Sequence, residues 1–135
     1  EIKYETYSKA INIEARTMID VASKQIIPAV IKYTKNLADS VNAVVSAGIL
    51  DVDVQTELLR DTSALLKDTR DALNHLKDVA KTAADMEEGK GRAFFYREKV
   101  MPAMEALRRP VDELEMIVDK EIWPMPSYGD LLFDV

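Results

Sequence analysis

The hydrophobic positions of this chain recur at steps of three and four residues over most of its length, which is typical of amphipathic α-helices. One such stripe predicts a first helix over residues 2–47. Pro28 lies inside this stretch, and because proline lacks a backbone N–H, we expect a bend there or two helices that meet. The stripe consists of Tyr4, Tyr7, Ile11, Ala15, Met18, Ala22, Ile26, Val30, Tyr33, Leu37, Val41 and Val44.

The second predicted helix, over residues 54–88, has the clearest pattern. Its apolar residues recur at heptad spacing, and other small or apolar residues fill the second core position of each heptad. Spacing sustained over several turns predicts the seam of a long antiparallel bundle or coiled coil. The residues are Leu58, Leu65, Ala72, Val79 and Met86, with Leu66, Leu73 and Ala80, and with Thr62, Thr69, Leu76 and Ala83.

A third stripe predicts a helix over residues 92–120, and Pro102 and Pro110 predict bends in it. Residues 100–104 also echo residues 26–30, since both read as two apolar residues, Pro, Ala and another apolar residue. Two interpretations stay open: a coincidence between apolar helices, or two prolines that lie at the same level of parallel helices and bend together. The stripe consists of Val100, Met104, Leu107, Val111, Leu114 and Val118.

Short polar connections separate these helices. Gly48 is a natural C-cap for the first helix, and Asp51 or Asp53 is expected to cap the second. Gly89 and Gly91 predict the next turn. Because short turns make neighbouring helices antiparallel, we expect an all-α fold over residues 1–120. It is an antiparallel bundle of three long helices with proline bends, or of four or five helices where the prolines split them.

The last fifteen residues, 121–135, break the helical pattern. Pro124 and Pro126 stop the third helix near Trp123, yet the segment is rich in aromatic and aliphatic residues, unlike a disordered tail. We therefore expect an ordered, non-helical tail of the same domain that docks on its own bundle or on another subunit. The candidate interface residues are Trp123, Tyr128, Leu131, Leu132 and Phe133.

Composition narrows the class of protein. A chain of 135 residues with 47% hydrophobic and 31% charged residues is long enough for one globular domain with its own core. The net charge of −6 argues against a nucleic-acid partner, whose phosphates require a basic surface. The absence of cysteine fits the cytoplasm, and no apolar run approaches the roughly 20 residues that span a membrane.

Residue types suited to catalysis are scarce. The one histidine, His75, lies on a bundle helix as in phosphotransfer modules, but Asp78 would repel a phosphoryl group, so an ordinary helix residue is the favoured interpretation. One His and no Cys cannot supply a di-iron or thiolate metal site. The sequence thus predicts no catalytic, cofactor-binding or metal-binding residue. A stand-alone signalling bundle using His75 and a coiled-coil interaction protein remain alternatives.

Three stretches of the sequence are similar to a known family. The tail reads Trp-Pro-x-Pro-x-Tyr-x-Asp-Leu-Leu-Phe-x-Val over residues 123–135. Ile-Glu-Ala-Arg-Thr at 13–17 runs into Gln-Ile-Ile-Pro-Ala-Val at 25–30, and Pro-Ala-Met-Glu-Ala-Leu-Arg at 102–108 runs into Asp-Glu-Leu-Glu at 112–115. These stretches resemble type III glutamine synthetases, the large bacterial form of that enzyme. The resemblance covers nearly the whole chain and is weakest over residues 52–91.

The resemblance implies a C-terminal helical domain of a longer enzyme that joins ammonia to glutamate at the expense of ATP, with magnesium or manganese. In that family these sites lie in an upstream catalytic region, so the resemblance implies no catalytic residue in this chain. It implies packing against that region and against neighbouring subunits of a homo-oligomer. Glu14 and Arg16 join the tail as candidate interface residues, since they lie where the helical extension would leave the catalytic region.

Overall fold

Three long helical rods make up the part of the chain that the computed structural model describes, residues 2–125. Two π-helical segments, Ala22–Ile26 and Tyr96–Val100, join α1 to α2 and α4 to α5 without a break. The first rod thus covers residues 2–46, the second 53–85 and the third 90–117. The prediction of an all-α fold built from three long helices is confirmed. The α-helices are α1 (Ile2–Val21), α2 (Ile27–Ser46), α3 (Asp53–Asp85), α4 (Lys90–Phe95) and α5 (Met101–Ile117).

Gly48 ends the first rod, as its sequence position predicted. Its φ of +91° is a left-handed conformation that favours glycine. The N–H of Ile49 donates to the carbonyl oxygen of Val44 at 3.2 Å, and the N–H of Gly48 donates to that of Val45 at 3.0 Å. This pair of bonds is the Schellman arrangement, which satisfies the last carbonyl groups of α2.

The start of the second rod differs from the prediction. Val52 is the N-cap of α3, and no side chain caps this helix, so the expected cap by Asp51 or Asp53 is wrong. Asp53 is instead the first residue of α3, directly after Val52. Its carboxylate lies in the first turn, where the helix dipole favours negative charge.

Arg92 stabilises the turn between the second and third rods. Its Nε donates to the carbonyl oxygen of Ala83 at 3.1 Å, and its Nη2 donates to that of Ala84 at 3.3 Å. These carbonyl groups belong to the last turn of α3, where a cation is favoured by the helix dipole. Gly89, with a φ of +133°, lets the chain reverse directly before α4.

Both π-helical segments end two residues before a proline, Pro28 or Pro102. In the first, the N–H of Ile27 bonds to the carbonyl group of Ala22, five residues back. Widening the turn by one residue lets the helix continue although proline has no N–H to donate. The sequence echo between the two prolines therefore reflects the same local structure. α5 runs through Pro110 with no such segment.

The two prolines do not lie at the same level, so that interpretation is wrong. The hydroxyl of Tyr7 donates a hydrogen bond to Sδ of Met101 at 3.0 Å, which puts Pro102 beside the second turn of α1. Pro28 lies about 30 Å farther along the first rod at 1.5 Å per residue. The reason is that Pro102 lies closer to the start of its rod than Pro28 does. About half as many residues separate Pro102 from the start of the third rod as separate Pro28 from the start of the first.

Two clusters of buried side chains hold the rods together. The first cluster occupies the end of the bundle near the α3–α4 turn and draws on all three rods. The second cluster joins the first π-helical segment and α2 to the end of the third rod. The first contains Ile11, Ala15, Ala22, Ile27, Leu73, Leu76, Ala80, Ala83, Tyr96, Val100, Ala103, Met104 and Leu107, and the second contains Ile26, Val30, Leu114, Val118 and Trp123.

Beyond the second cluster, α2 and α3 continue as a pair. α5 ends at Ile117, level with Val30. No residue between Leu37 and Thr62 is buried, although several apolar side chains in that range are half-buried between the two helices. We call residues 38–61 the hairpin arm, since they form a two-helix extension that the third rod does not reach.

Candidate functional site

Trp123 lies inside the bundle of its own chain. It belongs to the second cluster, with 8% of its surface exposed. Asp119 closes the turn that brings it there, because its carbonyl oxygen accepts from the N–H groups of Ile122 and Trp123 at 2.9 and 3.0 Å. Asp119 Oδ1 also accepts from the N–H of Glu121 at 2.9 Å. The first residues of the predicted tail are thus anchored through a buried indole ring.

The other tail candidates, Tyr128, Leu131, Leu132 and Phe133, lie outside the described residues, so docking beyond residue 125 stays a prediction. An apolar groove of about 460 Å³ nevertheless opens beside Trp123, and Met125, the last described residue, lines it. The groove lies between the first rod and α5. Its other lining residues are Thr17, Met18, Val21, Ala22, Ile26, Leu107, Arg108, Val111, Asp112 and Glu115.

Glu14 and Arg16 lie on α1 and are exposed, whereas Ala15 between them is fully buried in the first cluster. Their spacing places them on different parts of the helix surface, so they do not pair with each other. Both side chains face solvent in this chain. They are free to contact another domain or subunit, which is the role that the sequence suggested for them.

His75 is exposed on α3, between the buried Leu73 and Leu76. No hydrogen bond or ion pair to its ring occurs within residues 2–125, and Lys77 and Asp78 are exposed beside it. Phosphotransfer would require an imidazole whose surroundings favour a phosphoryl group, and the carboxylate of Asp78 opposes that charge. The ring has the environment of an ordinary solvent-facing helix residue.

Sequence reasoning missed a polar cleft of about 380 Å³ at the end of the bundle where the first rod begins. A carboxyl–carboxyl hydrogen bond with Glu5, together with the charge of Glu5, raises the pKa of Glu88. These residues are far apart in sequence, and only the α3–α4 turn brings them together, so no spacing could have revealed the pair. The cleft is lined by Glu5, Thr6, Ser8, Lys9, Asn12, Glu88, Gly89, Arg92 and Tyr96.

The floor of this cleft contains an unsatisfied polar group. Tyr96 is completely buried, and its hydroxyl has no hydrogen-bond partner among residues 2–125. Ser8, also buried, lies in the same lining. Two acidic and two basic side chains surround these groups, so the cleft is electrically balanced. The interaction that the cleft shows is the one between the carboxyl groups of Glu5 and Glu88.

Within residues 2–125, no three His, Cys, Asp or Glu side chains come together to hold an ion. Within the same residues, no helix is long and apolar enough to cross a membrane.

Comparison with known proteins identifies the family. A family model described as the glutamine synthetase C-terminal domain matches residues 1–45. Glutamine synthetase from Bacteroides fragilis (strain YCH46) is 30% identical over 139 residues, which cover 98% of this chain and 19% of that protein. Type-3 glutamine synthetase from Dictyostelium discoideum is 30% identical over 138 residues, covering 98% of this chain and 19% of that protein.

Glutamine synthetase from Butyrivibrio fibrisolvens is likewise 30% identical over 138 residues, covering 100% of this chain and 19% of that protein. The chain thus spans about a fifth of the length of these curated relatives, while the similarity extends over nearly all of its own length. The chain therefore belongs to the glutamine synthetase family and corresponds to the C-terminal helical domain of the type III enzymes.

Proposed function

We propose that this chain is the non-catalytic domain of a cytoplasmic type III glutamine synthetase, whose full-length protein joins ammonia to glutamate at the expense of ATP. The observation that carries the proposal is the similarity to glutamine synthetases along 98% of this chain. ATP and magnesium or manganese would bind in the larger part of the protein, because the donor groups of residues 2–125 do not converge on a metal site.

Within that enzyme, the domain has an assembly role. It packs against the catalytic region and against neighbouring subunits of a homo-oligomer. Two features support this role: the exposed pair Glu14 and Arg16 on α1, and the aromatic segment that follows Met125. The buried ring of Trp123 fixes the chain to the bundle shortly before that segment.

Removing residues 126–135 from the full-length protein tests this role. The truncation keeps Trp123, so the bundle keeps its core and a loss of assembly reports on the tail itself. We expect a smaller native mass by light scattering and less glutamine formation at low protein concentration. An unchanged native mass with full activity would show that the tail has no assembly role. A full-length protein that forms no glutamine from glutamate, ammonia and ATP would contradict the proposed function as a whole.

Charge reversal of the α1 pair provides a second test. The double variant Glu14→Lys with Arg16→Glu keeps the net charge but inverts the local pattern, so contacts with another domain should weaken. The matched control is Asp20→Lys with Lys24→Asp, which exchanges the charges of an exposed ion pair on the same rod. We expect a reduced native mass for the first variant and an unchanged mass for the control.

A further inference from the structure

The groove beside Trp123 leaves apolar side chains in contact with water. Met18 and Val21 on α1 and Val111 on α5 line it, and each of them is only half-buried. We call these three residues the groove floor. The groove volume of about 460 Å³ lies in the range of cavities that hold small ligands, so there is room for a large side chain. Covering the groove floor with another apolar group removes it from water, which is favourable.

The groove has a direction along the bundle. Trp123 marks one end, because it packs with Ile26 in the second cluster, and Ile26 also lines the groove. On the first rod the lining continues from there back to Thr17, a distance of about 13 Å at 1.5 Å per residue. On α5 the lining covers residues 107–115. Thr17 and Arg108 therefore mark the far end of the groove.

The C-terminal segment starts from the Trp123 end of the groove. Met125 follows the buried Trp123 by two residues and lines the groove. Pro126 favours an extended backbone at Met125 and fixes its own φ. At about 3.3 Å per residue, an extended chain from Met125 covers about 10 Å by Tyr128 and about 20 Å by Leu131. Tyr128 is therefore the aromatic residue whose reach matches the length of the groove.

We infer that residues 126–129 continue along the groove and that Tyr128 covers the groove floor with its ring. Ser127 and Gly129, on either side of Tyr128, are small, so they let the backbone approach the groove closely. The inference concerns the bundle of this chain and does not rest on the proposed function. Residues 131–133 lie past the far end of the groove and stay available for the contacts of the proposed function.

The polar rim of the groove fits this segment. Asp112 and Glu115 line the groove, and their carboxylates disfavour an acidic occupant, whereas residues 126–129 carry no charged side chain. At the far end, the guanidinium group of Arg108 can donate a hydrogen bond to a phenolic oxygen. A tyrosine therefore suits the groove with both its ring and its hydroxyl group.

Tethering favours this segment over more distant parts of the protein. Three peptide bonds separate Met125 from Tyr128, and a short tether gives an effective concentration on the order of millimolar. Pro124 and Pro126 restrict the backbone on both sides of Met125, so less conformational entropy is lost when the segment docks. A segment from elsewhere has neither advantage.

Photocrosslinking in the full-length protein tests the inference directly. A benzophenone amino acid in place of Tyr128 keeps an aromatic ring there and should link to residues 17–22 or 107–112 within a product of one subunit mass. The matched control is the same probe in place of Phe133, which should not link to those residues.

Three crosslinking results would overturn the inference. The first is a link from position 128 to the upstream part of the protein, to another face of the bundle or to a second copy. The second is the absence of any link from position 128 to the groove. The third is an equal yield of groove links from positions 128 and 133.

Thermal unfolding of the 135-residue chain tests the energetics of the same contact. Tyr128→Ala should lower the melting temperature by about 3–6 °C, because the groove floor returns to water. Tyr128→Phe keeps the ring and should recover most of that loss, and Phe133→Ala should leave the melting temperature unchanged. An unchanged melting temperature in Tyr128→Ala, or an equal loss in Phe133→Ala, would contradict the docking of Tyr128 in the groove.

Discussion

The hydroxyl of Tyr7 donates a hydrogen bond to Sδ of Met101 at 3.0 Å, between residues 94 positions apart. This contact shows how the first and third rods are aligned along their length. Met101 is the first residue of α5, directly after the second π-helical segment, and it lies beside the second turn of α1. From there α5 runs to Ile117, and Leu114 and Val118 at this end pack with Val30 in the second cluster. The hairpin arm is uncovered for that reason.

Two buried threonines on α3 give a matched test of hydrogen bonding in the core. Thr62 and Thr69 are both fully buried, but Thr69 Oγ1 donates to the carbonyl oxygen of Leu65 at 2.8 Å, whereas Thr62 Oγ1 has no partner in the described part of the chain. Thr62→Val should raise the free energy of unfolding by about 1 kcal/mol or more, because it removes an unsatisfied polar group. Thr69→Val should lower it by about 0.5–1.5 kcal/mol.

Urea unfolding of the 135-residue chain, followed by circular dichroism, measures both threonine variants. A loss of stability in Thr62→Val comparable to that in Thr69→Val would mean that water or another group satisfies the Thr62 hydroxyl in solution.

Trp123→Ala should lower the free energy of unfolding by about 3–5 kcal/mol, because the ring is buried in the second cluster and its removal leaves a cavity. Met116→Ala, at an exposed site on α5, should change stability by no more than about 0.5 kcal/mol. Circular dichroism is the suitable signal, since the variant lacks the chain's one tryptophan. A cost under about 1 kcal/mol would contradict the packing of Trp123 inside its own chain.

Two glycines should respond to alanine in opposite directions. Gly48 has a φ of +91°, where a Cβ is strained, so Gly48→Ala should cost about 1–2 kcal/mol. Gly91 lies in α4 with open space around it, so Gly91→Ala should be neutral or stabilise by up to about 1 kcal/mol. Thermal unfolding of both variants provides the measurement, and equal effects would contradict the Schellman turn at Gly48.

The Glu5–Glu88 pair predicts a pH dependence. Because the hydrogen bond with Glu5 and its charge raise the pKa of Glu88 above the usual 4.5, the folded chain holds this proton more tightly than the unfolded chain. The stabilisation is present below about pH 4.5 and is lost as the pH rises through the higher folded value. Glu88→Gln should therefore raise the melting temperature at pH 7 relative to the unmodified chain.

At about pH 4, where Glu88 is largely protonated, the same variant should melt close to the unmodified chain. Glu87→Gln, which removes the exposed neighbouring carboxylate, is the control. A gain for Glu88→Gln at pH 4 equal to the gain at pH 7 would contradict proton sharing between the two carboxyl groups.

Much of the local structure could be predicted from spacing. The apolar stripes predicted three long helices, and Gly48 predicted the end of the first. The N-cap of α3 was predicted incorrectly. Asp51 and Asp53 both suit an N-cap position, but the path of the chain places Val52 there. The tail was predicted to dock, and the burial of Trp123 shows where its first residues pack. Docking of Tyr128, Leu131, Leu132 and Phe133, on the same bundle or on another subunit, stays a prediction.

The sequence by itself determined what depends on neighbouring residues: helical periodicity, the glycine turns and a change in helix geometry close to Pro28 and Pro102. It also carried the similarity that identifies the family. The tertiary structure alone decided the features that depend on register between distant segments, namely the different levels of the two prolines, the pairing of Glu5 with Glu88 and the uncovered hairpin arm. The physical reason is that periodicity determines which face of a helix is apolar, whereas contacts such as Tyr7 with Met101 determine how far one helix slides along another.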